Sequence, residues 1–230
     1  MALHHTLNAW EAEQLAAHRQ LVSDLLAIAR EELPKHPLSQ TPRRLALSER
    51  LLEAFRKRCC PAGISLLLGG LADDDYRPPK VIDYINAEDS TPRGYWPSIS
   101  AELLRACEDS LAYLQPLAFC YVLPAYLKLW LERPRYLCTE SIFFHLCYDP
   151  DGKGKEQLKP LSQAERDIVS DIVNEYRCQA IFSDFDLLEA ALLPWEHERR
   201  QAESPDTSDY EFAEFLALEY AERTHYLSEK

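Results

Sequence analysis

The chain has 230 residues, a formal charge of −13 and only six glycines; this length suits one large domain or two small ones and buries about 70% of the unfolded surface. A composition rich in Leu, Ala, Glu and Arg favours helices, and the negative charge argues against direct nucleic-acid binding, which needs a basic face to displace counterions. The seven cysteines are odd in number, contain no Cys-x-x-Cys and sit mostly in apolar stretches, as the reduced thiols of a cytoplasmic protein do.

The first residues, MALHHTLNAWEAEQ, show no basic region followed by an apolar run, so no signal peptide is expected. Residues 8–33 have helical periodicity, with His18, Leu21, Val22, Leu25, Ile28 and Ala29 at spacings of three and four. Asn8 suits the cap, Pro34 and Pro37 stop the helix, and His18 reads as a core residue rather than a ligand. A second helix opens at Thr41-Pro42, a cap followed by proline in the first turn. Its expected core side is Leu45, Leu51, Leu52 and Phe55. Arg43, Arg44, Arg50, Arg56, Lys57 and Arg58 form the one basic patch, read as pairing with the protein's own surplus acid rather than with phosphate.

Residues 63–70 enclose the run ISLLL, a strand or a buried turn; Gly69-Gly70 lacks the Gly-Lys-Ser/Thr ending of a nucleotide loop. Asp73, Asp74 and Asp75 read as a solvated turn, since neighbouring side chains diverge. Short helices are expected over residues 81–87 and 100–114.

Residues 111–131, LAYLQPLAFCYVLPAYLKLWL, are apolar on nearly every side and must be buried on nearly every side. Gln115, Pro116 and Lys128 interrupt the run, which favours a core helix over a membrane span. Pro124 removes the donor to the Cys120 carbonyl and should kink it. A further apolar helix is expected to start at Thr139 and carry Ile142, Phe143, Leu146 and Cys147; its His145 has no second ligand at metal spacing. Residues 149–154 resemble the start of a calcium loop, but Lys153 and Pro160 occupy ligand positions, so an exposed turn is expected. Residues 162–176 form an amphipathic helix with Ile168, Val169, Ile172, Val173 and Tyr176 on one face and a Ser162/Glu165 capping box.

Composition divides the chain into a helical core domain, residues 1–180, and an acidic helical extension, residues 181–230. The extension has thirteen acidic against four basic side chains, a net −9. Its last helix carries Phe212, Ala213, Leu216, Tyr220 and Leu227 on one side. Aromatics beside an acidic stripe either cover a neighbouring helix or mark an interface, for which the candidates are Asp206, Asp209, Glu211, Glu214, Phe215, Glu222 and Tyr226. The Glu196-His197-Glu198 cluster beside Trp195 carries no acid–base pair, because adjacent helical residues do not face each other.

Residues 51–176 resemble a family of bacterial proteins of unknown function. The resemblance rests on Leu52-Glu53-Ala54-Phe55, Tyr95-Trp96 with Ile99, then Leu114, Pro116 and Phe119. It continues through Tyr121-Val122-Leu123-Pro124-Ala125-Tyr126-Leu127, Arg133-Pro134, Ile142-Phe143-Phe144-His145-Leu146 and Leu161-Ser162-Gln163-Ala164-Glu165-Arg166. It implies a small helical bacterial protein and brings no catalytic residues.

The sequence therefore suggests an all-α domain built around a Pro-kinked central helix. No cofactor, no metal site and no catalytic residue is expected. The expected function is that of a non-enzymatic immunity protein, or antitoxin, binding a cognate protein toxin, with a basic nuclease as the favoured class because an acidic surface steers such a partner. An acidic scaffold or regulatory binding module is the alternative, ahead of an enzyme. Homodimerisation is left open.

Overall fold

Capping chemistry decides where the helices begin. In the computed structural model, Asn8 caps α1 (Ala9–Glu32) with a reciprocal box: its side chain accepts from the Glu11 N–H at 2.9 Å, and Glu11 accepts from the Asn8 N–H at 2.8 Å. Thr41 caps α2 (Pro42–Ala54), where Pro42 sits in the first turn at no hydrogen-bond cost. Then follow α3 (Pro79–Glu88), α4 (Ala101–Ala106, capped by Ser100), α5 (Pro116–Glu132), α6 (Lys153–Leu158) and α7 (Gln163–Gln179). The structure describes residues 6–39, 41–61, 66, 79–88, 94–108, 111, 114–137, 142–143, 146, 153–179 and 195. Among these there is no β-strand, only an isolated bridge between Cys59 and Tyr95. The fold is all-α.

Helix α5 is the centre. Thirteen of its seventeen residues are buried, from Ala118 to Leu131 with Lys128 half-exposed. Each large apolar side chain so enclosed contributes about 1.5–3 kcal/mol. The helix starts at Pro116, not at Leu111 as expected. Proline biases the residue before it toward extended backbone, and Gln115 has φ −63° and ψ 153°. Leu111 and Leu114 are buried ahead of it, and Gln157 donates to their carbonyls at 3.5 and 3.2 Å. The helix runs unbroken through Pro124, and the kink reasoned from that proline stays an expectation.

The neighbours of α5 pack by side-chain shape. Helix α2 lies between α5 and α7; α6 and α4 also touch α5, while α1 packs on α3 and α4. Trp130 of α5 meets Phe143 and Tyr176 edge-on at 5.1 and 6.0 Å, and Phe143 stacks on Tyr176 at 3.8 Å. The buried Arg44 guanidinium of α2 covers Trp130 at 4.9 Å and donates to the Leu131 carbonyl at 3.3 Å. Tyr126 donates to the Cys107 carbonyl at 2.8 Å, where α4 has already ended. Helix α4 is therefore shorter than the 100–114 expected. Trp96 donates to the Phe55 carbonyl at 3.0 Å and ties the Trp96–Ser98 turn to the end of α2.

Other expectations need adjustment. Leu45 is exposed, and Leu47 takes its place on the core side with Leu51 and Phe55. Lys153 and Gly154 open α6 instead of closing a turn. Leu66 is helical and buried, as are Ile142, Phe143 and Leu146; the remainder of the 63–70 and 139–147 expectations lies outside the described residues. The 181–230 extension does too, apart from Trp195. That indole donates to Ser170 of α7 at 3.0 Å and packs against the core.

Candidate functional site

Three of the six basic residues on and just after α2 pair with α7. Arg43 pairs with Glu175, Arg50 Nη2 reaches Asp171 Oδ2 at 2.6 Å, and Arg58 grips Glu165 through two bonds of 2.6 and 2.8 Å. Arg58 also donates to the Pro160 carbonyl at 2.6 Å. The spacing explains two of the pairs: Arg43 and Arg50 lie two turns apart on one face of α2, and their partners Glu175 and Asp171 lie one turn apart on one face of α7. Glu165 is the most elaborated member, accepting in addition from the Ser162 N–H and hydroxyl at 2.7 and 2.8 Å. Burial works against its ionisation, but the bonds from Arg58 and Ser162 and the charge of Arg58 outweigh burial and hold its carboxyl below the ordinary range. The Glu165 hydrogen bond raises Arg58 against the effect of desolvation. The internal-pairing reading of the patch stands, and these arginines are not an open phosphate cradle.

Beside this seam lies Cys120, fully buried, its thiol donating to the Gln157 carbonyl at 3.2 Å. Burial pushes it up to about 12, too high for a nucleophilic thiolate near neutrality. Cys59 is exposed and Cys60 half-buried; these two, Cys107 and Cys120 are thiols and not disulfides. Tyr121 is likewise pushed up to about 12, first by burial and then by its contact with Cys60.

The surface that distinguishes the molecule is the outer face of α1. The stripe expected to be buried is divided in two. Glu11, Leu15, His18 and Ala29 face inward, whereas Leu21 is 42% exposed, Leu25 36% and Ile28 56%. Trp10, 50% exposed, sits about five turns before Ile28 and so at the same angle. Sequence reasoning placed His18 and Ala29 on one stripe with Leu21, Val22, Leu25 and Ile28. The available signal was the width of the apolar arc, broader than the single stripe one neighbour covers. Glu13, Gln20, Asp24 and Glu31 run exposed along one edge of the outer face. Lys35 pairs with Glu31 and Glu32 at its end.

The expected interface residues Asp206, Asp209, Glu211, Glu214, Phe215, Glu222 and Tyr226 lie outside the described residues, as do Asp73 to Asp75, His145 and Glu196 to Glu198. Among the described residues no group of three or more His, Cys, Asp or Glu side chains is placed to hold a metal ion. Among them also, no helix is long and apolar enough to cross a membrane. No protein-family model matches the chain, and no curated protein or solved structure matches it significantly.

Proposed function

We propose that this protein is a non-enzymatic immunity protein of the cytoplasm that binds and neutralises a cognate, basic protein toxin of the nuclease class. The observation that carries the reading is the α2–α7 seam. Arg43, Arg50 and Arg58, half of the six-residue basic cluster, are engaged by the chain's own carboxylates, and the chain as a whole carries a formal charge of −13. An acidic surface steers a phosphate-binding partner toward it and repels nucleic acid itself. In this reading Asp206, Asp209, Glu211, Glu214 and Glu222 supply rim charge, and Phe215 and Tyr226 supply apolar anchors.

The test is co-production with the neighbouring gene product in a bacterium. The expected result is killing by that product alone and survival when this protein is present. A neighbour that is harmless alone, or that kills equally well in its presence, overturns the immunity reading and leaves an acidic binding module. Charge reversal at Glu211 and Glu214 should slow association and flatten its salt dependence, while Phe215→Ala should speed dissociation.

A further inference from the structure

We infer that the outer face of α1 is a docking surface for a cationic amphipathic helix of the partner protein. Trp10, Leu21, Leu25 and Ile28 line one side of a single helix over about 27 Å, each at least a third exposed. An exposed line of large apolar side chains, one of them an indole, is the composition of an interface anchor rather than of ordinary surface. The spacing of Leu21, Leu25 and Ile28, at i, i+4 and i+7, is the register in which one helix packs on another.

Charge selects the occupant. The edge of the stripe carries Glu13 and Asp24, both exposed, with Glu31 paired to Lys35 at its end. A helix seated on the stripe places its own flank against that edge, and lysines or arginines there are attracted. A second copy of this chain brings the same acidic edge. The chain's own residues 181–230 carry a net −9. Like charge disfavours both occupants and favours a basic one. This inference rests on the proposed basic partner and assigns it a binding mode.

The experiment uses the full-length protein and a labelled 20-residue synthetic peptide of leucine and lysine, arranged as an amphipathic helix. The control peptide keeps every leucine and replaces each lysine with glutamate. Fluorescence anisotropy should show the lysine peptide binding at least tenfold more tightly than the glutamate peptide. Leu21→Asp with Ile28→Asp should weaken it at least tenfold, whereas Leu45→Asp, an exposed leucine on α2, should leave it unchanged. Asp24→Lys should weaken it at low salt and reduce its salt dependence. Circular dichroism checks that the double variant folds; if it does not, Trp10→Ala replaces it, with a loss of at least fivefold expected.

Equal binding of the two peptides, or equal binding by the stripe variants, overturns the proposal. So does a dimer in sedimentation equilibrium that the stripe variants dissolve, which assigns the face to a second copy. Stripe-dependent binding to phosphatidylcholine–phosphatidylglycerol vesicles without peptide binding overturns it in favour of a membrane. The co-production assay separates this failure from the larger one. Protection by wild type and equally by the stripe variants removes the stripe and keeps the immunity reading, whereas no protection by wild type removes that reading whatever the peptide does.

Discussion

Arg58 and Glu165, 107 positions apart, close a two-pronged ion pair of 2.6 and 2.8 Å between the turn after α2 and the first turn of α7. Glu165 simultaneously completes the Ser162 capping box. One carboxylate thus starts a helix and fixes it to its neighbour. Both side chains are largely buried, so removing one partner strands the other. Arg58→Met is expected to cost roughly 3–5 kcal/mol in urea denaturation. A loss below about 1 kcal/mol would show that the pair behaves as an exposed surface contact.

The same carboxylate should govern acid stability. Its folded value is lowered from an ordinary 4.5. Its contribution is therefore fully present above that ordinary value and is lost as pH falls through the lower, folded one. Arg58, raised, stays charged throughout and adds no slope in this range. Glu165→Gln should flatten the fall in stability below pH 4.5 relative to wild type, as read by denaturation midpoints across the acid range. An unchanged slope would transfer the effect to other carboxylates.

Tyr126 is the second point of leverage. Its hydroxyl satisfies the Cys107 carbonyl inside the core at 2.8 Å. Tyr126→Phe removes that donor without removing the ring, so about 1–3 kcal/mol is expected. Tyr126→Ala adds a cavity, for which core truncations cost about 2–5 kcal/mol. If the phenylalanine and alanine variants melt alike, the hydroxyl rather than the ring carries the site.

Thiol reactivity should separate in time. Cys59, exposed, should react with a disulfide reagent in the native protein before any buried thiol. Cys120, buried and pushed up to about 12, should react only on unfolding. Titration under denaturing, non-reducing conditions should count all seven cysteines. A native-state reaction at Cys120, located by peptide mass, would contradict the burial described for α5.

Much of this was readable along the chain because the determining interactions are local. Asn8 and Glu11, Thr41 and Pro42, and Ser162 and Glu165 each lie within four residues of one another, and α1, α2 and α7 start where those pairs place them. The burial of residues 118–131 followed from a stretch with almost no polar side to turn outward. The start of α5 was misjudged because the apolar run continues back to Leu111, while backbone geometry at Gln115-Pro116 forbids the helix from doing so. The interface residues proposed in the extension rest on sequence alone.

What the sequence determined by itself is the all-α character, the starts of α1, α2 and α7 and the identity of the buried centre, all consequences of near-neighbour chemistry and apolar content. Only the tertiary structure decided the rotation of each helix about its axis. Leu21 and Val22, or Leu45 and Leu47, are nearly equivalent as apolar residues in a list, yet Leu21 and Leu45 face outward while Val22 and Leu47 turn toward neighbours. That choice belongs to whichever helices pack alongside, because an arc of apolar surface wider than one neighbour can cover offers more than one way to be buried. The pairing of α2 with α7 was decided in the same way: Arg58 and Glu165 meet only because both helices lie where the fold brings them together.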